Sequence, residues 1–170
     1  FHHELAQTPS PPSTICFFCK ENLADGGSTP LIRSDFVLNF LTEKYPDFVT
    51  KIAEAGVKYH RTVPDVDDPS SAQGRSWKSM FHVQNKEDAE KEMTKQSFTW
   101  KWFDNGECTV SSMVLPAVRV SSNGNKTFYN QVLAAYTGWV DKRNTYGNSV
   151  TFGDDTPLPK EIIEDLAKFM

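Results

Sequence analysis

Phe1-His2-His3-Glu4, followed by Leu5-Ala6-Gln7-Thr8-Pro9-Ser10-Pro11-Pro12, places two imidazoles and a carboxylate together at the head of the chain. On a strand, residues two apart share a face, so His2 and Glu4 are expected to converge while His3 points away. A His-x-Glu pair supplies one imidazole and one carboxylate. These are two of the three ligands in the facial triad that holds non-haem Fe(II) with positions left open. Taken alone, the tripeptide reads better as a frayed polar chain end. A zinc hydrolase built on His2, His3 and Glu4 is the weaker metal reading, because neighbouring side chains on a strand diverge and no His-Glu-x-x-His helix is present. The rest of the chain has to decide.

With 170 residues the chain is long enough for one domain with a sizeable core, spanning 1–170, and short for two. Twenty-two acidic residues against 18 basic ones give a formal charge of −4. That balance offers no electrostatic reason to expect nucleic acid or an anionic membrane surface as a partner. No apolar run approaches the roughly 20 residues needed to cross a bilayer. Three cysteines, Cys16, Cys19 and Cys108, are too few and too odd in number for a disulfide framework. They favour a reducing compartment, with the cytoplasm as the expectation. Cys16-Phe-Phe-Cys19 has Cys-x-x-Cys spacing, but no second pair follows to complete a zinc site.

The pattern along the chain predicts a β-rich α+β domain with surface helices. Thr14–Lys20 reads as a buried strand, 24–30 as a turn cluster, and Leu31-Ile32 as a short strand. Ser34 is placed as the N-cap of a helix carrying Phe36, Val37, Phe40 and Leu41, and Pro46 opens a second helix that ends at Gly56 as a left-handed cap. Val57–Val63 alternates as a strand. Pro64–Gly74 is a long acidic, Ser-rich loop of the sort used as a lid or binding loop. Asn85 caps a short charged helix, Ser97–Phe103 is a strand, and Cys108–Val120 is a strand broken at Pro116. Asn123-Gly124 signals a hairpin into a strand beginning T-F-Y-N-Q-V-L-A-A-Y, and Leu158–Met170 is an amphipathic helix.

Four stretches carry a resemblance to a known family. They are F-H-H-E with its Pro-rich loop and later G-G-S-T-P; D-D-P-S-S-A-Q-G-R-S-W-K-S-M-F; F-Y-N-Q-V-L-A-A-Y-T-G-W-V-D-K-R-N; and V-T-F-G-D-D-T-P-L-P. Together they resemble the taurine dioxygenase/clavaminate synthase-like family of Fe(II)- and 2-oxoglutarate-dependent oxygenases, through essentially the whole chain. The resemblance implies a double-stranded β-helix, or jelly roll, with His2 and Glu4 as iron ligands and Thr29 as a 2-oxoglutarate contact. It implies O2 and a small organic molecule as reactants, hydroxylated or desaturated with release of succinate and CO2. A carboxylate at position 4 also disfavours halogenation. Asn130, Arg75 and Trp77 are expected at the substrate pocket, each equally readable as an ordinary core or surface residue.

The chain departs from the family at its far end. The family has a second His, and an Arg that pairs with the distal carboxylate of 2-oxoglutarate, on a later strand; nothing through Met170 matches them. His60 and His82 lie in segments of a different kind. The expectation is therefore a central portion of an oxygenase-like domain, with the β-helix incomplete and the site finished by a C-terminal segment or a second chain. The alternative is a non-catalytic scaffold or interaction protein that keeps part of the fold without a working iron site.

Overall fold

The computed structural model describes residues 1–21 and 25–170. Ala24, the start of the expected turn cluster, lies outside them.

Helix α1 (Ser34–Lys44) and helix α2 (Pro46–Ala55) form because apolar residues recur at helical spacing and Pro46 sits at the first position of α2, where its missing N–H costs nothing. Val37, Leu38 and Leu41 of α1 and Phe48 and Ile52 of α2 are buried. Ser34 is already helical and Arg33 holds the cap position, without a side-chain hydrogen bond. The Ser34 hydroxyl is engaged elsewhere, as described below. Gly56 ends α2 with φ 66° and ψ −163°, so it is not the left-handed cap expected. Glycine is required there because a Cβ would stand 2.7 Å from the Leu115 carbonyl oxygen.

The chain then enters β1 (Val57–Val63), the strand around which the main sheet is built. Strand β2 (Thr99–Trp102) pairs with β3 (Cys108–Ser111), β3 pairs with β1, and β1 pairs with β6 (Val150–Phe152), all antiparallel, in the order β2-β3-β1-β6. A separate hairpin joins β4 (Val118–Val120) to β5 (Lys126–Phe128), turning at Gly124 with φ +84°. Helices α3 (Trp77–Phe81), α4 (Lys86–Lys95), α5 (Val132–Gly138) and α6 (Lys160–Phe169) complete the described elements. Asn85 caps α4 as expected, its side chain accepting the Asp88 N–H.

Two apolar clusters share β1. Val57 and Tyr59 pack with α1, α2, α5, α6 and β6, whereas Val63 packs with Trp77, Phe81, Ala89, Met93, Cys108 and Val110 beneath α3 and α4. Strand β6 covers only Val57–Tyr59. Beyond it a side chain continues the ladder: Asn144 accepts the Thr62 N–H on Oδ1 (2.7 Å) and donates from Nδ2 to the Thr62 carbonyl (3.0 Å).

The α+β class with antiparallel sheets holds, but the domain is not β-rich: the six helices contain more residues than the six strands. Thr14–Lys20 is not a buried strand. It runs without regular structure, Ile15, Phe17 and Phe18 are exposed, and among the described residues no strand pairs with it. Cys16 and Cys19 within it are free and exposed, while Cys108 is buried in β3. Leu31-Ile32 forms no strand either. After Phe128 the expected strand gives way to α5, where Val132, Ala135 and Tyr136 meet the core at helical spacing.

His60 bridges the sheet sideways, with Nδ1 2.8 Å from Ser111 Oγ and Nε2 3.0 Å from Thr151 Oγ1. Burial lowers its pKa, and His3 is lowered by burial in the same direction. A histidine whose folded pKa is depressed takes up its proton more readily when unfolded. Stability is therefore expected to be full above the ordinary pKa of about 6.5 and to fall as pH drops below it. Urea midpoints between pH 7.5 and 5 check this, and His60→Gln should flatten the decline. An unchanged slope in that variant would remove His60 as its source.

Candidate metal centre and its cleft

The opening segment is not a strand. It turns from Glu4 to Gln7, with Leu5 at φ 52°. His2 and Glu4 nevertheless converge, with Nε2 3.5 Å from Oε2 and both side chains about half exposed at 49%. The cause is tertiary. The His3 N–H donates to the Asn130 carbonyl (3.2 Å), Gln131 Nε2 donates to the His3 carbonyl (2.9 Å), and the Ala6 N–H closes the turn on that same carbonyl (3.3 Å). The His3 ring is drawn inward, Nε2 lying 3.0 Å from Ser34 Oγ and the ring centroid 4.3 Å from that of Tyr129. Burial depresses its pKa, partly opposed by the hydrogen bond to the Asn130 carbonyl. With His3 anchored inside, its two neighbours project outward. This arrangement also removes His3 as a co-ligand of His2 and Glu4, against the zinc hydrolase reading.

His2 and Glu4 open onto a cleft of about 750 Å³, whose walls also include Thr29, Asn130, Tyr129 and Phe17. Four of the six residues singled out in the sequence thus meet at one cavity. Thr29 is exposed on its wall. Asn130 contributes surface to the wall, but its amide is committed inward: Nδ2 donates to the Ala117 carbonyl (3.0 Å) and Oδ1 accepts the Val132 N–H (2.9 Å). It positions the His3 backbone rather than offering its side chain to a ligand.

Arg75 and Trp77 do not line this cleft. Arg75 Nη2 donates to the Ser79 carbonyl (2.7 Å), and Trp77 is 2% exposed inside the second apolar cluster. The reason lies in the preceding loop. The Asp68 N–H donates to the Gly74 carbonyl (2.8 Å), and a Cβ on Gly74 would stand 1.9 Å from the Asp68 carbonyl oxygen, so the loop doubles back on itself. It is then tied to residues 141–144: Ser71 Oγ donates to Asp141 (2.9 Å), and the guanidinium of Arg143 pairs with Asp68 (3.1 Å) and Asp141 (2.5 Å). Burial pushes the Asp141 carboxyl up, yet the hydrogen bonds from Arg143, Asn144 and Ser71 together outweigh it and hold the pKa at about 2. The loop is a strapped connection, not a lid over the cleft.

Comparison with known proteins fits this geometry. The family described as "Taurine catabolism dioxygenase TauD, TfdA family" matches residues 1–170. The chain belongs to that family. It is also 38% identical, over 171 residues, to a clavaminate synthase-like protein of Arabidopsis thaliana, a match that takes in 100% of this chain and 52% of the relative. The chain thus spans about half the length of the curated relative it matches. For a member of an Fe(II)- and 2-oxoglutarate-dependent oxygenase family, the donor chemistry of His2 and Glu4 suits a hard-to-borderline divalent metal such as Fe(II). Among the described residues, however, no group of three or more His, Cys, Asp or Glu gathers to hold a metal. His60 is held between two hydroxyls in the sheet, and His82 lies beside a shallower hollow with Asp65 and Asp67. No described helix is long and apolar enough to cross a membrane.

No local pattern marks Gln131, Ser34 or Tyr129 as partners of His3. Gln131 and Ser34 hydrogen-bond to His3 and Tyr129 packs against its ring, across separations of 31 to 128 residues. No local pattern encodes such contacts.

Proposed function

We propose that this chain carries the His-x-Glu part of an Fe(II)- and 2-oxoglutarate-dependent dioxygenase acting on a small organic substrate. The observation that carries the reading is the approach of His2 Nε2 to within 3.5 Å of Glu4 Oε2 at the mouth of the cleft. When bound, Fe(II) with 2-oxoglutarate and O2 supplies the oxidative chemistry, giving succinate, CO2 and a hydroxylated or desaturated product.

The chain's own residues do the rest. His2 and Glu4 are the metal ligands, and the anchored His3, Gln131 and Asn130 backbone orient them. The Thr29 hydroxyl, on the cleft wall, would contact the 2-oxoglutarate carboxylate. Phe17, Leu31 and Leu133 give the cleft apolar walls that limit water at the reacting centre. No third protein ligand gathers with His2 and Glu4 among the described residues. In this reading the four-stranded and two-stranded antiparallel sheets are those of a jelly roll. The absence of a three-ligand group among the described residues favours one other reading, a scaffold that retains part of the fold without a working centre.

Anaerobic addition of Fe(II) and 2-oxoglutarate to the purified chain tests this. A visible charge-transfer band is expected. His2→Ala and Glu4→Ala should each weaken iron binding by more than about 100-fold, beyond what loss of an outer-shell partner costs. A folded chain that gives no band, or a band indifferent to both substitutions, leaves the scaffold reading standing.

A further inference from the structure

Arg61 is partly buried on β1, on the strand face that also carries Tyr59 and Val63. Among the described residues its guanidinium makes no hydrogen bond and no ion pair, and its Nε–H is sealed from solvent without an acceptor. The carboxylate that acts on it, Asp141, is already committed. Asp141 accepts from Ser71 Oγ, from the N–H groups of Arg143 and Asn144, from Arg143 Nη2 and from Asn144 Nδ2, which fills its lone-pair sites. Arg75 and Arg143 bear on Arg61 from the repulsive side. Arg143 is itself only 4% exposed and carries a second sealed, unpaired Nε–H. A partly buried guanidinium with one sealed, unpaired N–H is under-satisfied, and an anion at its terminal nitrogens offsets that cost.

We propose that Arg61, with Arg143 beside it, forms a binding site for a small oxyanion, a carboxylate or a phosphate group. The site sits where β1, the 64–74 loop and residues 141–144 meet. A planar guanidinium takes either group through two parallel N–H donors. The bound anion would supply the acceptors that the saturated Asp141 cannot. Arg61 is not among the walls of the His2 and Glu4 cleft, so this site stands or falls independently of iron binding.

The experiment uses the whole chain without iron. Sodium phosphate and sodium acetate are titrated separately at ionic strength held constant with sodium chloride, which equalises screening. Thermal midpoints are read alongside 31P or acetate 13C line broadening, since phosphate also strengthens apolar burial in general. Saturable binding of at least one anion is expected. A response to phosphate alone marks a phosphate site, and a response to acetate alone a carboxylate site. Arg61→Gln should abolish the broadening, and Lys142→Gln, at an exposed lysine of the same strap, should preserve it. Arg61→Lys keeps the charge without the fork and should bind at least roughly tenfold more weakly. No broadening by either anion in the native chain overturns the proposal, as does equal broadening in Arg61→Gln. If Arg61→Gln does not fold, undiminished affinity in Arg61→Lys overturns it.

Discussion

Trp77→Ala is expected to lower the stability of the chain by about 3–5 kcal/mol, the range for removing a fully buried large aromatic. Trp77 is 2% exposed and meets Trp102 edge-on at 5.2 Å between ring centroids. It also donates from Nε1 to the Gly106 carbonyl at 3.1 Å, tying α3 to the β2–β3 turn. Truncation would leave a cavity in the smaller of the two apolar clusters, among Phe81, Met93, Cys108 and Trp102. Trp77→Phe separates the two contributions. It keeps most of the ring and loses the donor, for an expected cost nearer 1–3 kcal/mol. Urea unfolding of both variants measures this. A Trp77→Ala chain as stable as the native one would mean that neither the burial of this ring nor its hydrogen bond to Gly106 holds the fold together.

For Asn130→Ala the expectation is a double effect. Losing the amide strands the Ala117 carbonyl and the Val132 N–H, both inside the fold, at about 1–3 kcal/mol each. The Asn130 backbone carbonyl also holds the His3 N–H, so a displaced 128–132 segment releases the turn that aims His2 and Glu4. Iron affinity in the anaerobic titration should therefore fall by about 10–100-fold, as when an outer-shell partner of a metal ligand is removed. Asn130→Asp is informative beside it: the acceptor to Val132 survives while the Ala117 carbonyl faces a carboxylate oxygen. If Asn130→Ala loses stability yet binds iron as the native chain does, the residue is purely structural.

These two residues show how differently legible parts of the chain were. Trp77 and Asn130 sit in stretches that resemble family segments equally well, and both were expected at the pocket. One fills a core and the other braces the turn that carries His2 and Glu4. A resemblance marks a position as important without saying which contact makes it so. Periodicity worked where the hydrogen bonds are local: α1, α2, the Asn85 cap, β1 and the Asn123-Gly124 turn follow from spacing and turn chemistry. It failed for Thr14–Lys20, because an apolar run becomes a strand only if a partner edge is available. It also failed after Phe128, where a stretch with β-branched and aromatic residues entered the helix α5.

The pairing of His2 with Glu4 as candidate ligands, the helices α1, α2 and α4 with strand β1, and the family itself could be read from residue order alone, since each depends on residue type and near-neighbour spacing. The direction in which His2 and Glu4 point could not. It is set by Asn130 and Gln131, more than 125 residues away, which hold His3 inward and leave its neighbours facing the cleft. Nor could the closing of the 64–74 loop onto Asp141 and Arg143, or the unpaired state of Arg61, be foreseen. Both arise only when charges far apart in sequence are brought into one partly buried place, where low dielectric makes each pairing, and each missing partner, count.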